Sequence, residues 1–287
     1  MPSPRLLIHG GASVAFWRTA TPVLRAQALV GLATARDAGA AVLRSGGSAI
    51  DAVCAAVMVL EDDPLFNAGT GAVRTSSGTL ELDAALMCGE TARCAAICGI
   101  RQLLNPIDGC RRMLAADKPV FMWGPHAEHH CLGLGAALRH DDGPRPVESH
   151  AAGTVGALAL DAAGQLAAAT STGGLAGKLP GRIGDSPVIG AGTWADRGCA
   201  VSCTGDGELF IRLAVARSLA LAADPLAAAA TQPLARVAAL GGMGGLIALR
   251  ADGCWTAAVT GGDIARAWWT ADGVSAAGLL AGDPWPT

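Results

Sequence analysis

The sequence predicts an α+β fold, an antiparallel sandwich of sheets covered by helices. Two observations lead there. Three stretches read as hairpin-like units, each a pair of apolar runs about a short turn: residues 72–75 and 79–83 about Ser77-Gly78, 155–161 and 165–172 about Ala163-Gly164, and 246–250 and 254–260 about Asp252-Gly253. Between them, helical apolar spacing recurs at about 22–44, 49–60, 106–116 and 207–222. Strands joined by tight turns pair antiparallel, and interspersed amphipathic helices must bury their apolar stripe against a sheet face.

The elements follow in order. Leu6-Leu7-Ile8 reads as a short buried strand ending in His9-Gly-Gly-Ala12. The helical spacing from about Pro22 to Arg44 is stopped by Gly46-Gly47. Ser48-Ala-Ile-Asp51 resembles a capping box with Asp in place of Glu, and it opens a helix that runs to about Leu60 and ends at Glu61-Asp-Asp-Pro64. Asn67-Ala-Gly-Thr-Gly71 is a loop whose two glycines free the backbone to curl. The last two hairpins echo each other and are apolar on both alternations, which predicts cover on both faces. Residues 140–150 are polar, hold two prolines and read as an exposed linker just before Gly153-Thr154.

With 287 residues, 51% hydrophobic and 16% charged, the chain has ample material for one large core or two smaller ones. A net charge of -3 without basic runs argues against nucleic acid as the main partner. No apolar run approaches the ~20 residues that span a bilayer, and the first residues lack a signal-type pattern. The expected location is cytoplasmic. Nine cysteines, an odd number without a Cys-x-x-Cys pair, read as small buried thiols in a reducing compartment, with a metal site as the alternative. His126, His129 and His130 read as a solvated helix face, again with a metal as the alternative.

Thr154 heads the second hairpin. A Gly-Thr bond at that point suits a self-cleaving precursor, since cleavage would give a hydroxyl nucleophile with its own α-amine as base. Hairpin pairing about Ala163-Gly164 returns Thr172 beside Thr154. Arg182 and Asp185 stand three apart in a loop rich in glycine and proline. A guanidinium fork suits a carboxylate and a carboxylate suits an ammonium, so the pair suits a free α-amino-acid head. The run from Ser202 to Glu208 opens a helix, and Thr204 and Gly205 there could cradle a developing oxyanion.

Together these stretches resemble the plant-type L-asparaginase/isoaspartyl aminopeptidase family of Ntn-hydrolases. The resemblance runs in order through Ile8-His-Gly-Gly-Ala12, Leu65-Phe-Asn-Ala-Gly-Thr-Gly71, Glu81-Leu-Asp-Ala84, Asn105-Pro106, Gly153-Thr-Val-Gly156, Ala169-Thr-Ser-Thr-Gly-Gly174, residues 178–192, Ser202-Cys-Thr-Gly205 and Gly241-Gly-Met-Gly-Gly245. It implies a four-layer αββα sandwich, one domain that matures into residues 1–153 and 154–287. It implies hydrolysis of asparagine or β-aspartyl dipeptides, with Thr154 as nucleophile, Thr172 positioning it, Thr204 and Gly205 as oxyanion hole and Asn67 supporting the threonine. Arg182 would bind the substrate α-carboxylate and Asp185 its α-amine, with Gly207 lending a carbonyl. Main-chain oxygens of Leu60, Glu61, Asp63, Phe66, Ala68 and Thr70 would ring a structural sodium ion, no cofactor would serve catalysis, and the assembly would be a dimer of cleaved pairs.

Several positions depart from that pattern. Met87-Cys88-Gly89 stands where Met-Asp-Gly is expected, Val259-Thr-Gly-Gly-Asp263 where an Asn-Thr-Glu-Gly-like turn is expected, and Asp206 where Thr is frequent. The alternatives are a glycosylasparaginase-like amidase and a non-catalytic descendant that only binds a ligand. Gly190-Ala-Gly192 echoes a dinucleotide loop but does not lie early in a βαβ unit.

Overall fold

A computed structural model of the protein describes residues 3–139 and 153–283. The linker expected at 140–150 lies outside the described residues. The chain runs β1 (Arg5–Ser13), α1 (Phe16–Thr19), α2 (Pro22–Arg44), α3 (Ala49–Asp62), β2 (Leu82–Cys88), β3 (Cys94–Ile100), α4 (Pro106–Ala116), β4 (Phe121–Trp123) and α5 (Gly124–Gly133). It continues β5 (Val155–Leu160), β6 (Leu166–Thr172), β7 (Thr193–Ala195), β8 (Cys199–Gly205), α6 (Gly207–Leu213), α7 (Val215–Ala220), α8 (Leu226–Ala239), β9 (Gly244–Arg250), β10 (Trp255–Thr260), β11 (Asp263–Thr270) and β12 (Ser275–Gly278).

The strands form two sheets. One has eight strands in the order β12-β11-β1-β5-β6-β2-β3-β4, and the other four in the order β10-β9-β8-β7. Every pairing between these strands is antiparallel except β3 with β4. Helices α2 to α5 pack on the larger sheet and α7 and α8 on the smaller, while β1, β5 and β6 contact β8 or β9 of the other sheet. The mixed α+β class expected from the hairpins and helical stretches is the class observed.

Period-two alternation assigns each strand residue to a core. Leu6 and Ile8 of β1 and Ala157 and Ala159 of β5 join the helix-side core of the larger sheet. Leu7, Leu158, Leu160, Leu166 and Ala168 join Ala200, Ile247 and Leu249 in the layer between the sheets. Cys199, Val201 and Cys203 of β8 face Val215, Leu219, Leu234 and Val237 beneath the smaller sheet. Both faces of β5 and β6 are buried, as their apolar alternations predict.

Capping explains the first helices. Thr21 accepts from Leu24 N at 3.2 Å at the head of α2, and Ser48 accepts from Asp51 N at 3.1 Å at the head of α3. Asp51 Oδ2 in turn accepts from the Ser48 hydroxyl at 2.7 Å, so the shortened capping box closes side chain to side chain.

Four expectations are corrected. The first hairpin is a single bridge, Arg74 to Leu80, because the hydroxyls of Thr75, Ser77 and Thr79 bond one another and form a local turn. The helix expected over 207–222 is two helices, broken where Ala214 adopts φ +46°. β10 is only half-buried along its length, because it is an edge strand. The first strand extends from the expected three residues to Ser13 by a bulge between His9 and Ala12, where Gly11 takes φ +103°. Among the described residues, no helix is long and apolar enough to cross a membrane.

Candidate active site

The same alternation that sorts the cores places the hydroxyls. On β5 the even positions face the other sheet, and on β6 and β8 likewise, so Thr170, Thr172, Ser202 and Thr204 share the inter-sheet layer with Leu158, Ala168 and Ala200. The β5–β6 register pairs Val155 with Ser171, which sets Thr154 opposite Thr172. Thr154 is buried, and its Oγ1 lies 3.1 Å from Thr172 Oγ1. Thr172 Oγ1 also accepts from Gly174 N at 2.9 Å. The pairing expected from the turn position is therefore realised.

A cavity of about 90 Å³ opens over this pair, lined among others by Gly153, Arg182, Asp185, Thr204, Gly205, Asp206 and Met243. Thr204 Oγ1 accepts from Ala12 N at 3.0 Å, a contact made possible by the bulge in β1. With one lone pair so used, the Thr204 hydroxyl proton is directed elsewhere, as a donor to a developing oxyanion requires. Gly205 takes φ +147°, and a Cβ there would lie 2.5 Å from Gly244 Cα, so only glycine lets β8 turn into α6 at this point.

Arg182 and Asp185 line the same cavity, and both pack against glycine. A Cβ on Gly207 would lie 2.9 Å from Arg182 Nη2 and 2.9 Å from Asp185 Oδ1. Asp185 is buried, its Oδ2 has no hydrogen-bond partner among the described residues, and burial pushes its carboxyl up to about 7, against the pull of its own backbone N–H and of Arg182. A buried carboxylate oxygen without a donor is an open acceptor for an ammonium group. Arg182 is already engaged: Nε and Nη2 each donate to Glu208 at 2.9 Å, and the guanidinium holds the Glu208 carboxyl below its usual range. Sequence reasoning missed Glu208, although its place in the first turn of α6 next to Gly207 was visible.

A polar chain next to Thr154 was also missed. His9 Nε2 lies 2.9 Å from Ser202 Oγ, which lies 2.7 Å from Thr170 Oγ1. Thr193 Oγ1 donates to the Ser186 carbonyl oxygen at 2.9 Å and lies 2.7 Å from Thr170 Oγ1. Ser186 Oγ lies 3.5 Å from Thr154 Oγ1. Burial pushes the His9 imidazole down to about 3, only partly offset by the Thr154 main chain, so the ring is neutral. Gly156 makes room for this chain, since a Cβ there would strike both Ser202 Oγ and His9 Nε2. The signal was present in the polar residues at alternate positions, Thr170 and Thr172, Ser202 and Thr204.

A second set of groups ties down the loop that carries Arg182. Lys178 Nζ donates to the Glu81 carbonyl at 2.9 Å, and Gly181 N donates to Glu81 Oε2 at 2.7 Å. Asp83 is buried beside them and accepts from Gly99 N at 2.8 Å. Its carboxyl is pushed up to about 6 by burial, which outweighs the attraction of Lys178. Asn67 donates to the Gly174 carbonyl at 2.7 Å and accepts from Val73 N at 3.0 Å. It thus braces the exit of β6, next to Thr172, and both ends of its amide are used there.

The six residues expected to ring a cation, Leu60, Glu61, Asp63, Phe66, Ala68 and Thr70, span the end of α3 and the turn at Gly69–Gly71. A Cβ on Gly69 would strike the Glu61 carbonyl oxygen and one on Gly71 the Phe66 carbonyl oxygen, so the two glycines keep a carbonyl-lined curl open. That donor set, neutral oxygens only, suits a hard monovalent cation. The Glu61 side chain points away, accepting from Ser171 Oγ at 2.6 Å and Ile107 N at 3.0 Å. Among the described residues, no group of three or more His, Cys, Asp and Glu side chains is placed to hold a metal ion. All nine cysteines are free thiols, and only Cys254 is exposed.

Comparisons with known proteins agree on one group. The sequence model of a family described as Asparaginase matches residues 2–142 and 135–279. The isoaspartyl peptidase of Escherichia coli (strain K12) is 39% identical over 280 residues, covering 86% of this chain and 87% of its own. The isoaspartyl peptidase/L-asparaginase of Rattus norvegicus is 36% identical over 88% of this chain and 82% of its own. That of Homo sapiens is 34% identical over 89% of each.

Proposed function

The chain belongs to the asparaginase family, and on that premise we propose that it is an isoaspartyl peptidase/L-asparaginase working through an N-terminal threonine. The observation that carries the mechanism is the Thr154–Thr172 hydroxyl pair at 3.1 Å in a cavity that also holds an unpartnered Asp185 oxygen.

In this reading the Gly153–Thr154 bond cleaves itself, and the fold is the four-layer αββα Ntn-hydrolase sandwich of the two resulting chains, residues 1–153 and 154–287. The freed α-amine, with a reference pKa of ~7.7–8.0, takes the proton of the Thr154 hydroxyl. Thr154 Oγ1 attacks the side-chain carbonyl of asparagine or of a β-aspartyl peptide. Thr204 Oγ1 and the Gly205 N–H hold the oxyanion, and Thr172 fixes the nucleophile's orientation. Ammonia or an amine departs with the proton, and water then cleaves the threonine ester to release aspartate. Asp185 and the Gly207 carbonyl receive the substrate ammonium. Arg182 receives the α-carboxylate, which must compete with Glu208 for the guanidinium.

Asn67 supports the threonine through Gly174 and Thr172. The carbonyls of Leu60, Glu61, Asp63, Phe66, Ala68 and Thr70 would hold sodium, whose role is to stiffen the loop that carries Asn67. No cofactor enters the chemistry. The protein is read as cytoplasmic and as a dimer of cleaved pairs. The test is direct: ammonia from asparagine and aspartate from β-Asp-Leu, measured for wild type and Thr154→Ala. Turnover by the wild type alone supports the reading, and equal turnover by the variant refutes it.

A further inference from the structure

The cavity holds the aspartyl head, so whatever the amide nitrogen carries must lie at its mouth. The lining residues that are not buried include Leu175, Arg182, Asp206 and Met243. Of these only Arg182 and Asp206 are charged. Arg182 is answered by its bidentate contact with Glu208 in the free protein and by the substrate α-carboxylate once that is bound. Asp185 is buried in the lining, where the substrate ammonium would answer it. Asp206 is therefore the one mouth charge among the described lining residues without an opposite partner in the lining.

Its placement is fixed rather than floppy. Asp206 Oδ2 accepts from Met243 N at 2.7 Å, and Asp206 N donates to Met243 O at 3.0 Å. The side chain sits at the head of α6 but makes no capping bond there. One carboxylate oxygen thus suffices for the structural contact, and among the described residues no cation pairs with Asp206.

We propose that Asp206 is a specificity residue that selects substrates carrying a positive charge on the leaving-group side, namely β-aspartyl peptides whose second residue is Lys or Arg, over those whose second residue is acidic. This rests on the amidohydrolase reading above. The aspartyl head is common to all substrates, so its interactions cancel in a comparison of leaving groups. What remains is attraction or repulsion between one fixed carboxylate and a charge at the cavity mouth, which biases encounter and binding and weakens with salt.

The test compares kcat/KM for β-Asp-Lys-NH2 and β-Asp-Glu-NH2, both C-terminally amidated so that the side chain carries the only leaving-group charge. The wild type should favour the lysine peptide by about tenfold at low salt, and the preference should shrink as salt rises. In Asp206→Asn the amide oxygen still accepts from Met243 N, so the loop keeps its bond and only the charge is lost. The ratio should then fall to within about twofold, on the same argument. A wild type with no preference, or a preference that survives in Asp206→Asn, overturns the assignment while leaving the amidohydrolase reading intact. Failure of the wild type to cleave either peptide or asparagine overturns both.

Discussion

Replacing Asp185 by Asn should make the protein more stable and a worse enzyme. Asp185 is 4% exposed, with one oxygen unpartnered, and burial lifts its carboxyl from 3.8 to about 7. As pH rises between those values, the unfolded chain ionises Asp185 and the folded chain does not. The wild type therefore loses stability through this window and reaches a plateau above pH 7. The loss amounts to about 4 kcal/mol at pH 8, and to less than about 1 kcal/mol at pH 4. Asn carries no charge in either state and escapes this cost. Chemical denaturation at both pH values should show Asp185→Asn stabilised by a few kcal/mol at pH 8, up to about 8 °C in Tm, with little gain at pH 4. Buried carboxyls that do not act on Asp185, such as Glu61, cancel in the difference between the two proteins. Loss of a charged hydrogen bond to the substrate ammonium should lower kcat/KM for asparagine by roughly 10- to 100-fold. In the wild type, kcat/KM should rise with pH through about 7 as Asp185 ionises. A variant no more stable at pH 8, or equally stabilised at both pH values, would refute the claim that this carboxylate is held at a cost for the sake of binding.

Two further substitutions probe the layer around Thr154. Thr204→Val removes the oxyanion donor and leaves Ala12 N–H unpaired; kcat should fall about 10²- to 10³-fold with KM little changed, and Thr204→Ser should restore most of it. Steady-state kinetics in which Val matches Ser would show that the hydroxyl is not used. Gly156→Ala drives a methyl into the His9–Ser202 contact and should cost about 1–3 kcal/mol by thermal unfolding; an unchanged Tm would show that the chain behind Thr154 is loosely packed.

Much of the site was legible because it lies on one regular hairpin. Once the turn at Ala163-Gly164 is placed, antiparallel pairing forces Thr172 opposite Thr154, and no tertiary information is needed. Thr204 and Gly205 stood out at a helix start, and Arg182 and Asp185 as opposite charges suited to an α-amino-acid head; the structure lines one cavity with all four. What escaped was non-local. The Arg182–Glu208 contact joins a loop to a helix 26 residues away, and His9 meets Ser202 across 193 residues. Strand β11 was missed although it is buried throughout and pairs with β1, because Arg266 and two tryptophans hide its apolar pattern. The hairpin at 72–83 failed for the opposite reason: its Thr and Ser residues fit a strand by propensity, yet their hydroxyls satisfy one another in a turn.

The most direct test is intact mass of the purified, active protein, with sequencing of any new N-terminus. The account predicts that the 28.6 kDa chain gives way to two associated chains. The second should begin at Thr154, activity should rise in step with its appearance, and Thr154→Ala should remain whole and inactive. A single uncut 28.6 kDa species with full activity would contradict the N-terminal threonine mechanism.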